Sequence, residues 1–221
     1  MPAHPATVAI CNRALGLIEH NVRFSDFEDG SDEAEEAKLH YDAARRLVLS
    51  RIPWHFATDF VLLSATLDAS SAGNAPAAMP NVFLLPPGVI KLRRLPDAPE
   101  GARWRVVKGD NRLYTDQGPP LLIEATFDAQ DPMQFEPDFV AALEALLAAK
   151  FAPRFSRSQN RTEVWLRRFE ELMAEAAGSD AQEGEAPPWD GRLEPDWRGV
   201  VENAYSAGAG RWPGDGWGKA T

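Results

Sequence analysis

The sequence predicts an α+β fold: a four-helix bundle with an antiparallel β-rich insertion between helices 2 and 3, plus an extended C-terminal arm. Three observations carry this. Apolar residues recur at three- and four-residue spacing before residue 57 and again between 128 and 177. Between these stretches lie short runs rich in β-branched and aromatic residues, separated by Gly, Pro and Asn. From Gly178 to Thr221 there are nine glycines and four prolines, and Leu193, Val200 and Val201 are the only aliphatic residues beyond alanine. The expected division is therefore a helical domain over 1–57 and 128–177, an insertion over 58–127 and an arm over 178–221. A chain of 221 residues suits one domain with an appendage.

The first helix is expected over 5–20, where Val8, Cys11, Leu15 and Ile18 fall on one face and Asn21 supplies a stop. A short extended piece follows at Val22–Phe27, with Val22 and Phe24 on one side of the pleat. Ser31 is a good N-cap for a second helix over 32–52. Acids crowd its first turns and Arg45, Arg46 and Arg51 its far end, each the sign favoured by the helix dipole. Ala37, Tyr41, Ala44, Val48 and Ile52 form its apolar stripe, and Pro53 ends it. Phe60–Leu63 reads as a strand, 68–80 as a loop, and Val82–Leu95 as β-like chain broken by Pro86-Pro87-Gly88. Trp104–Val107 and Arg112–Thr115 flank Gly109-Asp110-Asn111, a hairpin signal, and Leu121–Phe127 is a further strand, together making one small antiparallel sheet. Helices return at 137–151, opened by Pro137 and closed by Pro153, and at 158–177, where Trp165, Phe169, Leu172, Met173 and Ala176 line one side.

Composition narrows function. With 44% hydrophobic and 25% charged residues the chain can build a core. Its 33 acids and 23 bases leave a net charge of −10, which argues against bulk electrostatic grip on DNA or an anionic membrane. It does not argue against DNA passing by, since an acidic channel lets DNA slide. The single cysteine, Cys11, excludes an internal disulfide and reads as a small buried residue. No apolar run is long enough to cross a membrane, and no basic-then-apolar leader opens the chain, so synthesis and folding in the cytosol are expected.

Chemistry is sparse. His4, His20, His40 and His55 lack a second histidine at helical metal-site spacing, and His40 reads as a boundary residue. No cofactor, metal site or catalytic group is expected. The run Asp26, Glu28, Asp29, Asp32, Glu33, Glu35, Glu36 holds seven acids without a base. It reads as a solvated helix start or, alternatively, as a negative surface facing a cavity, a partner or passing DNA. Gly208–Gly216 neither follows a strand nor opens a helix, so it is no phosphate loop, and no Gly-x-Ser-x-Gly elbow exists. Arg45, Arg46, Arg51, Lys91, Arg93, Arg94, Arg103 and Arg105 read as ion-pairing residues, within the chain or across a subunit boundary. The arm is the oddity. Trp189, Trp197, Trp212 and Trp217, with Tyr205, stand in Gly/Pro-rich chain. Burying a few aromatics cannot order 44 backbones, so local segments are expected to dock on a partner or sister subunit.

A family resemblance enters through ordered pieces of sequence. These are Asn12–Ile18, Phe24-Ser25-Asp26-Phe27, Glu36-Ala37, Tyr41–Arg45 with Leu49, and above all Pro53-Trp54-His55-Phe56-Ala57. Later come Leu84-Leu85-Pro86, Trp104, Gly109, Leu113–Asp116, Asp131-Pro132, Phe135 and Phe139–Leu143. Over about residues 8–176 the chain resembles the head-to-tail adaptor (connector) proteins of tailed phages, particularly the tail tubular protein A group. It departs at Thr58-Asp59, where the family has basic residues, and its arm matches nothing in the family.

The resemblance implies a virion neck protein made in the host cytoplasm. It would form a twelvefold ring between the portal protein and the downstream nozzle or tail-tube protein, with DNA crossing the lumen unbound. It implies Tyr41, Trp54 and Phe56 as core residues of the family motif. Asp29, Asp32, Glu33, Glu35 and Glu36 are then candidate lumen or subunit-interface acids, Arg45 and Arg46 candidate interface bases, and Trp189, Trp197, Tyr205, Trp212 and Trp217 candidate portal contacts. Two other classes stay open: a cytosolic scaffold recruiting partners through its Trp-bearing tail, and a tail-associated cell-wall hydrolase using two of the carboxylates.

Overall fold

The computed structural model describes residues 4–67, 75–156 and 160–184. The chain divides into a unit over Met1–Asp180 and a second over Ala181–Thr221, and the architecture below is that of the first. It is α+β: four helices, with two small antiparallel sheets between the second and third.

Helix α1 spans Pro5–Leu17, with His4 as N-cap accepting the Ala6 N–H at 3.2 Å. It stops earlier than its apolar spacing predicts. Glu19, not Asn21, takes the left-handed conformation (φ 62°), which lets the Glu19 N–H reach the Gly16 carbonyl and the His20 N–H the Leu15 carbonyl, both at 3.0 Å. The piece after it is a series of turns rather than a strand. Asn12 explains this, because its side chain accepts the Phe24 N–H at 3.2 Å and donates to the Phe24 carbonyl at 2.8 Å, serving both backbone groups a ladder would have used. Phe24 is thereby pulled into the core, and Val22 is left 51% exposed instead of sharing its side.

Helix α2 spans Asp32–Arg51, and the Ser31 hydroxyl accepts the Ala34 N–H at 3.2 Å. Helix α3 spans Pro137–Phe155 and α4 Arg161–Gly184. Pro153 does not close α3. It lacks an N–H, yet the helix continues to Phe155 because both following side chains are anchored: Arg154 by acids of α2, and the Phe155 ring by His20 at 4.8 Å. One core joins the four helices, from Ile10, Cys11, Ala14 and Leu15 through Ala37, Ala44, Val48 and Leu49 to Phe139, Leu143, Leu147 and Phe151, with Phe169 and Met173 from α4.

The strands are β1 Thr58–Leu63, β2 Asn81–Leu84, β3 Val89–Arg94, β4 Trp104–Val107, β5 Arg112–Thr115 and β6 Leu121–Phe127. They form two three-stranded sheets, ordered β1-β6-β3 and β2-β5-β4, not the single sheet expected. The break is physical. Pro86 and Pro87 offer no ladder donors, and Gly88 at φ 85° redirects the chain, so β2 and β3 join different sheets. The sheets share a second core of Leu63, Leu92 and Ile123 from one and Phe83 and Leu113 from the other.

Between β4 and β5 the left-handed residue is Asn111 (φ 55°) rather than Gly109. Its side-chain amide donates to the Leu85 and Pro86 carbonyls, each at 3.3 Å, tying the hairpin to the β2–β3 crossover. Asn111→Ala is expected to cost about 1–3 kcal/mol, from the left-handed penalty plus those bonds. Urea unfolding of the variant checks it, and Asn111→Gly should restore the backbone part alone.

Two ties join sheet and helices. Arg93 of β3 donates through Nη2 to the Leu49 carbonyl at 2.9 Å and to that of Ile52, while Lys91 reaches the Ser50 carbonyl at 3.1 Å. These cations cap the negative end of α2, satisfying carbonyls the helix leaves open.

Candidate functional site

The acidic run at the start of α2 divides into an inward and an outward set. Asp29 accepts the Ser31 hydroxyl at 2.6 Å, the Ser31 N–H at 2.9 Å and the Ser25 N–H at 2.9 Å. The Ser31 hydroxyl first, and then these backbone bonds, hold its pKa down at about 2. Glu33 and Glu36 turn into the fold. His20 Nε2 lies 2.7 Å from Glu33 Oε1, and His40 Nε2 lies 2.9 Å from Glu36 Oε1. Arg154 reaches across from α3 to Glu36 Oε2 at 2.8 Å and to Asp32 Oδ1 at 3.1 Å. Burial pushes the Glu33 carboxyl upward, and the His20 bond, Glu33's own backbone N–H and the His20 charge together outweigh it, so Glu33 lies below the usual carboxylate range. The solvated start expected from sequence thus describes Asp32 and Glu35, whereas Glu33 and Glu36 are structural partners of His20, His40 and Arg154.

Arg45 is likewise committed within the chain. Its side chain is 3% exposed and bonds Asp128 Oδ1 at 2.5 Å and the Ala129 carbonyl, while Arg46 bonds Asp128 Oδ2 at 2.5 Å. Arg46 itself remains 62% exposed. Asp128, just past β6, also donates its N–H to the Gly88 carbonyl at 2.8 Å. Burial raises the Asp128 carboxyl; the two guanidinium bonds outweigh that and hold it below the usual range. Sequence reasoning missed Asp128, because it stands 83 residues from Arg45 and belongs to no motif.

Trp54, Phe56 and Tyr41 sit in or against the helical core. Trp54 Nε1 donates to the Val48 carbonyl at 3.0 Å, its ring meets Phe139 edge-on at 5.1 Å, and Phe56 packs on Phe139 at 5.1 Å and Phe135 at 5.5 Å. Burial pushes the Tyr41 hydroxyl, beside Thr7, and the Cys11 thiol each up to about 12, so neither ionises at neutral pH. Trp189, Trp197, Tyr205, Trp212 and Trp217 lie outside the described residues.

Among the described residues, no group of three or more His, Cys, Asp or Glu is placed to hold a metal ion, and no helix is long and apolar enough to cross a membrane. A surface feature that sequence reasoning did not foresee is a groove of about 560 Å³ between β3 and β4. Its lining includes Leu85, Val89, Ile90, Lys91, Trp104 and Lys108. No protein-family model matches this chain, and no curated protein matches it significantly.

Proposed function

We propose that this chain is a structural head-to-tail adaptor of a tailed phage or phage-like particle. In this reading it closes as a twelvefold ring between portal and tail, DNA crosses the lumen, and the protein carries out no bond-making step. The family resemblance motivates the reading, and one structural observation supports it. Leu39, Ala43 and Leu47 recur at four-residue spacing on the outward side of α2, with Leu39 68% exposed and Leu47 37%. Val164 and Leu166 on α4 are 50% and 43% exposed. An apolar stripe such as that of α2, on a helix that already buries another face, is what side-to-side packing of copies requires. The outward acids Asp32 and Glu35 and the net charge of −10 would keep a lumen from gripping DNA. The arm, with Trp189, Trp197, Tyr205, Trp212 and Trp217, would be the tether to the portal.

The test mixes purified protein with its portal and images the product. A collar beneath the portal is expected. Leu39→Glu/Leu47→Glu should stay folded by circular dichroism and form no collar. Removal of residues 178–221 should weaken attachment to the portal. A wild-type chain that stays monomeric beside its portal would overturn the reading in favour of a scaffold for soluble partners.

A further inference from the structure

The groove between β3 and β4 has three properties that belong together. First, it is bounded by two free strand edges: β3 ends the sheet β1-β6-β3, and β4 ends the sheet β2-β5-β4. Each therefore presents one backbone side without a strand partner among the described residues. Second, its lining is apolar, from Leu85, Val89, Ile90, Leu92 and Val106, with Trp104 39% exposed at its margin. Third, it is basic in an acidic protein. Lys91, Arg105 and Lys108 line it, and Arg51 lies close enough to bear on Lys91. None of these four cations is paired with a carboxylate among the described residues, although acids outnumber bases in the chain by ten. Elsewhere on this unit arginines find carboxylates readily, as Arg45, Arg94, Arg154 and Arg168 do.

We propose that this groove is a docking site for an extended acidic segment of a partner protein, which adds to a free edge of β3 or β4. Its main chain would bond the open backbone groups, alternate apolar side chains would enter the groove, and the carboxylates between them would meet Lys91, Arg105 and Lys108 at the rim. Charge complementarity selects an acidic occupant, and the apolar lining selects a polypeptide over a nucleic acid, because a phosphodiester backbone has nothing to bury there. The protein's net charge of −10 also repels a long polyanion, while a short acidic segment feels mainly the cations within a screening length of roughly 8 Å. The inference stands independently of ring formation, since it uses neither the helical stripes nor the arm.

The test uses the full chain and a fluorescein-labelled peptide of alternating glutamate and valine, followed by anisotropy. Control peptides alternate glutamate with serine and lysine with valine, and a thymidine oligonucleotide of similar length stands for nucleic acid. The glutamate–valine peptide is expected to bind at least about tenfold more tightly than any control. Binding should fall as salt rises, and it should drop at least about tenfold in Arg105→Glu/Lys108→Glu, whose side chains make no described contact the fold needs. Amide exchange should show new protection over 89–92 or 104–107 when peptide is added. Equal binding of the serine peptide, preference for the oligonucleotide, protection confined to other segments, or unchanged affinity in a folded double variant would each overturn the proposal.

Discussion

Replacing Asp128 by alanine is expected to destabilise the protein by about 3–5 kcal/mol, read as a shift in the urea midpoint without loss of cooperativity. The cost comes from what is left behind. Arg45 has a side chain only 3% exposed, and Asp128 is its close carboxylate, so truncation strands a guanidinium where water cannot solvate it. Arg46→Ala removes a bond to the same carboxylate from the exposed side and should cost under about 1 kcal/mol. The contrast separates a buried charge needing its partner from a surface pair. Replacing both members together with apolar side chains, as Arg45→Met/Asp128→Leu, should recover much of the loss, because no unpaired charge then remains. The same carboxyl sets a pH dependence. Its folded pKa is depressed, as is that of Glu33, so their contribution is fully present above the ordinary unfolded value of about 3.9–4.3 and is lost as pH falls through the folded values. Thermal unfolding between about pH 5 and pH 2 should show stability falling with acid, with a shallower fall in Asp128→Ala.

What sequence made legible was whatever local periodicity and caps encode. Ser31 as N-cap, the Ala37–Val48 stripe, Pro137 at the start of α3 and the Trp104–Thr115 hairpin all depend on neighbours within a turn or two, and each stands where expected. Apart from the early stop of α1, which Glu19 makes locally, the errors share another origin, since each needed a long-range partner. Val22–Phe27 has strand-like residues, yet Asn12 satisfies its backbone from a helix. Pro153 looks like a helix end, but Arg154 and Phe155 are held from α2 and by His20. Val82–Leu95 reads as β-like chain broken by Pro86-Pro87-Gly88, and the break stands there, but its halves pair with β5 and β6 in separate sheets rather than in the one sheet expected. The candidate site was hardest for the same reason. Nothing local distinguishes Glu33 and Glu36, which face inward, from Glu35, which does not, beyond their placement on the helix, and no spacing connects Arg45 to Asp128. The basic residues Lys91 and Arg105 read as ion-pairing partners because, in a chain with surplus acid, pairing is the default. Only the fold shows that acids are placed elsewhere.

Trp54→Ala is the second large effect, expected to cost about 3–5 kcal/mol. Trp54 is 2% exposed, and its ring is held edge-on by Phe139 at 5.1 Å while its N–H serves the Val48 carbonyl at 3.0 Å. Alanine would open a cavity beside Phe139 and leave a buried carbonyl without its donor. Trp54→Phe keeps most of the volume and loses the donor, so it should cost about 1–3 kcal/mol and isolate the hydrogen-bond part. Phe56→Ala, at a half-buried position, should cost less than Trp54→Ala although both rings meet Phe139. Position makes Trp54 more than a core filler. It stands between the end of α2 at Arg51 and the start of β1 at Thr58, where the chain passes from the helical core to the sheets. Its removal should therefore raise amide exchange at the C-terminal turns of α2 and the first residues of β1 before it does so in α1. Uniform acceleration across all helices would mean instead that the indole contributes volume alone and leaves the handover between the two cores to Arg93 and Asp128.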